Sequence, residues 1–105
     1  MSAKQPDPHV LYEAAVQGVD FDLDLMERIY RRVRGRRFVD FREDFCGTAQ
    51  MAAAWVSRRP QNRAWGVDLD APTLAWARKH RVSRMRERAN RLTLLRADVR
   101  SVVRP

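Results

Sequence analysis

An α/β domain built on a short parallel sheet is the fold class this 105-residue sequence predicts. Two observations carry the expectation. Short apolar runs alternate with helical patterns in the order strand, helix, strand, helix, strand, which argues for parallel strands joined by right-handed crossovers. The stretch "FREDFCGTAQ", Phe41 to Gln50, follows one such run and precedes an alanine-rich helical pattern. A turn of that kind, between a strand and a helix, is where open α/β sheets hold ligands.

The elements follow in chain order. Asp7 and Pro8 read as N-cap and first helical position, and Gly18 as a stop, giving a helix near 8–17. A second helix spans about 22–34, with Leu23, Met26, Ile29, Tyr30 and Val33 on one face. "RRFVDF" supplies the first strand, with Phe38 to Arg42 at its heart. Ala49 to Ser57 reads as a helix that turns Met51, Ala52, Trp55 and Val56 to the core. "AWGVDL", Ala64 to Leu69, is a strand apolar enough for burial on both faces. Asp70 caps a helix with Pro72 in its first turn, running to about His80 and resuming to about Ala89. Val82, Met85, Ala89 and Leu92 form its apolar stripe, and "LTLLRADV" is the third strand.

Composition bounds the function. The apolar share of 45%, with three Trp, two Tyr and four Phe, is enough for one globular core. No apolar run approaches the roughly 18 residues that span a bilayer, and "MSAKQPDPH" lacks a signal-peptide layout, so the expected compartment is the cytoplasm. A single cysteine excludes an internal disulfide and a multi-cysteine zinc site, and no metal is expected. The net charge of +8 is almost all arginine, since lysine occurs only at Lys4 and Lys79. Arg81, Arg84, Arg88 and Arg91 recur at helical spacing and could track phosphates. The region has no interleaved aromatics for base stacking, and Glu87 can pair with Arg91 as on any solvated helix.

Three strand ends carry the candidate site. Gly47 permits close backbone approach, Thr48 can cap the following helix, and the amides there would favour an anionic group. Asp68, about twenty residues on, suits a carboxylate that accepts from ribose hydroxyls. Asp98 in "LLRADV" can reach the outer end of the same cleft. Each alone has a plain structural alternative, and the three in register are a much stronger signal.

Together "LYEAAVQ", "FREDFCGTAQMAAAW", "WGVDLDAPTLAWARKH" and "LLRADVRSV" resemble the beginning of a class I S-adenosylmethionine-dependent methyltransferase family whose loop reads Arg-Glu-Asp-Phe-Cys-Gly-Thr. The resemblance runs from about Asp7 to Val102 and implies a Rossmann-like fold that binds S-adenosylmethionine. By that resemblance Glu43 meets the methionyl amino group, with Asp40 as a rival. The Cys46-Gly47-Thr48 backbone lines the methionyl end, Asp68 holds the ribose, Leu69 packs near adenine, and Asp98 with the Val99 amide meets the adenine edge. Phe45 and Ala49 stand where glycines are common, and Tyr12 and Gln17 belong to a leading helix that covers the cofactor. Cys46 as a methyl-accepting thiol has no base beside it and reads as a packing residue.

The resemblance also implies a seven-stranded sheet, of which this sequence supplies three strands. Residues 1–105 are therefore expected to be the cofactor-binding portion, truncated before the acceptor half, with two leading helices over 8–34 and a β-α-β-α-β core over 37–105. The catalytic residues and the methyl acceptor stay unknown. The first strand would keep a bare edge, open to a second chain that completes the sheet or to a homo-oligomer. A truncated gene product, half of a split enzyme and a reused binding module are the three expected origins. A small basic nucleic-acid-binding protein is the alternative function.

Overall fold

The computed structural model describes the backbone of residues 8–102 and the side chains from residue 16 to residue 102. The chain runs α1 (Pro8–Arg34), β1 (Asp40–Asp44), α2 (Gln50–Arg58), β2 (Arg63–Asp68) and α3 (Ala71–His80). Two short 3₁₀ segments, Val82–Arg84 and Arg86–Arg91, then lead into β3 (Leu92–Arg96). The strands form one parallel sheet in the order β1-β2-β3. The α/β class and the three parallel strands are as expected.

Two elements differ from expectation. The leading helix is a single 27-residue element that passes through Gly18. A glycine inside a helix costs roughly 1 kcal/mol relative to alanine but removes no hydrogen bond, and packing of Val19 and Leu23 on the core holds the helix on the C-terminal side of it. It ends at Gly35, whose N–H closes on the Arg31 carbonyl at 2.8 Å. The expected capping by Asp7 and the side chain of Tyr12 lie outside the described residues, and Gln17 is exposed. The second difference follows α3, where 3₁₀ turns replace a resumed α-helix and Arg86 takes a left-handed φ of 54°. The apolar stripe survives this change: Met85 and Leu92 are buried, with Val82 and Ala89 packed against the core.

The core lies between one face of the sheet and the helices. Trp55 of α2 is fully buried, stacks on Phe38 (centroids 4.2 Å apart) and donates from Nε1 to the Val39 carbonyl at 2.8 Å. Phe41, Ala64, Leu92 and Leu94 meet it from the strands, and Leu74 of α3 joins the same cluster. Asn62 is the one buried polar residue among the described residues, and its side chain donates to the Trp55 carbonyl. α1 rests on α2 through Leu23 and Met26, and through Asp24 and Glu27, which bind Arg58 and Arg59. Of its expected apolar face, Ile29 and Val33 remain exposed.

By strand alternation the opposite face carries Arg42, Trp65, Val67 and Leu95. Arg42 donates to the carbonyls of Val99 and Val102, drawing the segment after β3 across that face. Gly66 sits on the core face, where a Cβ would lie 2.9 Å from the Cys46 Sγ and 3.0 Å from a Leu94 methyl. That contact seats the turn after β1 directly on β2.

Candidate functional site

The turn between β1 and α2 is built on alternate left-handed residues. Phe45, Gly47 and Ala49 have φ of 54°, 54° and 60°. Only the middle one is glycine, and the other two bear the strain of a Cβ, on the order of 1 kcal/mol each. Phe45 and Ala49 thus occupy positions where the backbone itself favours glycine. Ala49 has no side-chain cap to offer α2, and Thr48 does not serve as one either, contrary to expectation. Glu43 does so from β1: its Oε1 accepts from the Ala52 N–H at 3.1 Å.

That contact changes the reading of Glu43. Its carboxylate is half-buried against α2, and desolvation raises its pKa above the ordinary glutamate range despite the Ala52 N–H and the nearby Arg81. Asp40, the rival, lies at the opening end of β1 and pairs with Arg63 on β2, a full strand length from the turn. An acid whose pKa rises on folding contributes stability at low pH. That stability is lost as pH climbs from the unfolded value through the higher folded one. Glu43→Gln keeps an acceptor for Ala52 and removes the charge. The expected result is a melt at neutral pH equal to or above the parent's and a flatter pH profile through the acidic range. Glu43→Ala leaves the amide bare and costs about 1 kcal/mol; parallel pH-dependent melts of the three proteins check this.

Three of the loop amides are engaged. Cys46 N–H donates to the Val67 carbonyl, Gly47 N–H to Asp68 Oδ2 at 2.8 Å, and Ala49 N–H to the Cys46 carbonyl. Ala52 is held by Glu43 and Ala53 by the Ala49 carbonyl, which leaves the Gln50 and Met51 N–H groups at the start of α2 without a partner among the described residues. The Thr48 carbonyl accepts from Arg81 Nε at 2.8 Å. Cys46 is buried, and desolvation, with Glu43 and Asp68 nearby, pushes its thiol up to about 11. At neutral pH it is a protonated packing residue.

The other candidates meet in one cleft. Asp68, Leu69, Asp98 and Val99 line a hollow of about 330 Å³ beyond the carboxyl ends of β2 and β3, with Phe45 and Arg100. Asp68 ties the turns together: Oδ2 accepts from Gly47 and Oδ1 from the Asp70 N–H at 2.9 Å. Those backbone donors, Asp70 first, hold its carboxyl below the ordinary aspartate range. Each oxygen keeps a second lone pair for a ligand hydroxyl. Asp98 is bound by Arg100 through side chain and backbone, which likewise lowers its pKa. Leu69 and Phe45 are 62% and 75% exposed, two apolar side chains bordering the cleft with no core to fill.

Glu43, Cys46, Gly47 and Thr48 therefore support the cleft from beneath, and Asp68, Leu69, Asp98 and Val99 form its wall. Phe45 and Arg100 are wall residues that motif spacing did not assign. For Phe45 the signal was its place among glycine-type positions, and for Arg100 its spacing of two from Asp98. Asp70 is a helix cap as expected, accepting from the Thr73 N–H at 3.3 Å.

The arginines after α3 divide. Arg91 donates to the carbonyls of Val56, Arg59 and Asn62, Arg88 to Ser57, and Arg81 to Thr48. The single helical face expected for them does not exist, because the segment is 3₁₀. Folding nevertheless brings Trp76, 47% exposed, beside His80 and Arg81, and these line a second hollow with Arg84 and Arg88. Among the described residues no cluster of three metal-ligating side chains forms, and no helix is long and apolar enough to cross a membrane.

No protein-family model matches this chain, and no curated protein matches it. The functional reading therefore rests on the cleft.

Proposed function

We propose that the cleft binds the nucleoside end of S-adenosylmethionine, as the cofactor-binding part of a Rossmann-like domain of the class I methyltransferase type. The observation that carries this is the meeting of Asp68, Leu69, Asp98, Val99 and Phe45 in one hollow at the strand ends. The donor set suits a nucleoside without phosphate. Asp68 is ionised and rigidly held, able to accept from a ribose diol. Leu69, Val99 and Phe45 supply apolar surface for a purine, and Asp98 lies at the outer end. Its volume falls at the lower bound of small-molecule sites, about 300 Å³. Glu43 fits the methionyl end less well, since its carboxylate is committed to α2.

The bound cofactor supplies an activated methyl group on a cationic sulfonium. The work of the chain is to bind and orient it, and Asp68, ionised and without a cationic partner among the described residues, suits a cationic ligand. The acceptor nucleophile is not assigned to any residue.

Calorimetric titration with S-adenosylhomocysteine tests this reading. Saturable binding is expected, with Leu69→Glu abolishing it in a protein that melts as the parent does. Phe45→Gly separates two roles in one variant. Relief of the left-handed strain raises stability by about 1 kcal/mol, while affinity drops on the order of tenfold, one stacked ring being worth about 1 kcal/mol or more. A folded chain that binds nothing ends the proposal.

A second reading is carried by Trp76. With His80, Arg81, Arg84 and Arg88 around it, this surface combines a stacking platform with positive charge, as single-stranded nucleic acid requires. The same calorimetry with a generic oligonucleotide, repeated at rising salt, distinguishes it. Affinity that falls steeply with salt and disappears in Trp76→Ala favours nucleic acid, and none at low salt ends that reading.

A further inference from the structure

We propose that two copies of this chain pair edge to edge through β1. The strands run antiparallel about a two-fold axis, in the register that sets Phe41 opposite the partner's Phe41 and Asp40 opposite the partner's Arg42. The inference is independent of the cofactor reading.

β1 is an edge of the sheet. The Arg63 N–H donates to the Val39 carbonyl, which fixes the phase of the parallel ladder. Odd residues of β1 turn their backbone groups toward β2, and Asp40, Arg42 and Asp44 turn theirs outward. A row of unpaired donors and acceptors of this kind accepts another strand. The edge is also flanked by apolar surface. Met26, Ile29, Tyr30, Val33 and Phe38 border a groove of about 500 Å³ that runs along Phe41, and Ile29 and Val33 are 55% and 73% exposed.

Charge selects the occupant. In antiparallel pairing about a two-fold axis, directly opposed residues have a constant sum of numbers. Phe41 on the axis opposes Asp40 to the partner's Arg42, and Arg42 to the partner's Asp40. Both residues have outward backbone groups, so each pair also makes ladder bonds, and the two ion pairs repeat by symmetry. Arg42 uses Nε and one N–H on each terminal nitrogen for Asp44, Val102 and Val99, so it keeps two donors for a new carboxylate. A slip by one residue pair would set Arg42 against the partner's Arg42 and Asp40 against the partner's Asp44, a like-charge arrangement throughout. Centring on Glu43 would set Arg42 against the partner's Asp44 but Glu43 against the partner's Glu43, so of these registers the one centred on Phe41 alone opposes no like charges. An axis perpendicular to the sheet keeps both helical layers on one side, so Ile29 and Val33 meet the partner's copies of themselves.

Sedimentation equilibrium over a concentration series, with amide hydrogen exchange at β1, tests the proposal. The expected result is a reversible dimer in which the Asp40 and Arg42 amides gain protection as concentration rises. Asp40→Arg, at a half-exposed position, is expected to be monomeric and folded. Arg42→Asp is expected to be monomeric alone, and mixing it with the Asp40→Arg chain restores a heterodimer, since every cross-strand pair is again of opposite charge. If Arg42→Asp fails to fold, Ile29→Glu replaces it as a second variant expected to be monomeric. A parent chain that is monomeric throughout overturns the proposal, as does a dimer that survives Asp40→Arg or leaves both amides unprotected. The first outcome leaves the edge to a strand of different sequence, and the others place the contact elsewhere.

Discussion

Trp55→Ala is expected to destabilise the chain by about 3–5 kcal/mol, the range for deleting a large buried aromatic. Trp55 has no exposed surface and joins three parts of the molecule. Its ring stacks on Phe38, its edge meets Phe41, and Nε1 holds the Val39 carbonyl, which also receives the Arg63 N–H. Phe38 in turn contacts Tyr30 of α1. Truncation leaves a cavity where α1, α2 and β1 converge. Small domains hold only about 5–15 kcal/mol in total, so much of the stability disappears. Urea unfolding followed by circular dichroism reads it. Trp55→Phe keeps the stack and loses the hydrogen bond, so a much smaller loss is expected from it. Equal losses from both variants would show that the ring contributes little.

Gly66→Val is expected to cost about 3 kcal/mol, at the upper end for overpacking, and to weaken nucleoside binding beyond what lost stability explains. The Cβ alone would sit 2.9 Å from the Cys46 Sγ and 3.0 Å from Leu94. Leu94 has rotamers with which to yield. Cys46 has little freedom, because its amide is bound to Val67 and its neighbours Phe45 and Gly47 hold left-handed angles. Pushing it moves Gly47 away from Asp68 and Phe45 off the cleft. Cys46→Ala removes the obstructing sulfur, so the double variant is expected to recover part of the loss. Thermal melts and titration of the single and double variants measure the coupling. Additive losses would mean that the clash is relieved elsewhere.

Most of the sheet was legible because its strands are short apolar runs bounded by turn signals. Ala64 to Leu69 lies within one residue of its observed limits, and the third strand begins at Leu92 as expected but ends at Arg96, three residues early, since burial against α2 and α3 leaves each pattern a single register. The cap at Asp70 was legible because a cap is a local hydrogen bond. The joining of 8–17 with 22–34 was not, because Gly18 carries a real local cost that the packing of α1 on α2 outweighs. The 3₁₀ geometry of 82–91 escaped for a related reason. A three-four apolar spacing fits both helix types, and carbonyl contacts from Arg88 and Arg91 help to decide between them.

The candidate site divides in the same way. The strand-end acids could be read from residue type and offset, which place them beyond the sheet whatever the details, and Leu69 only through the family resemblance. The destination of each hydrogen bond could not. Glu43 turns down to α2 because Ala49 leaves that helix uncapped, and Asp68 is drawn to Gly47 because the left-handed turn aims that amide at it. Sequence alone determined the α/β order and the strand ends, through local patterning that any parallel sheet must satisfy. Tertiary structure decided which polar groups serve the fold and which remain for a ligand, because each donor and acceptor goes to whichever partner folding brings within about 3 Å of it.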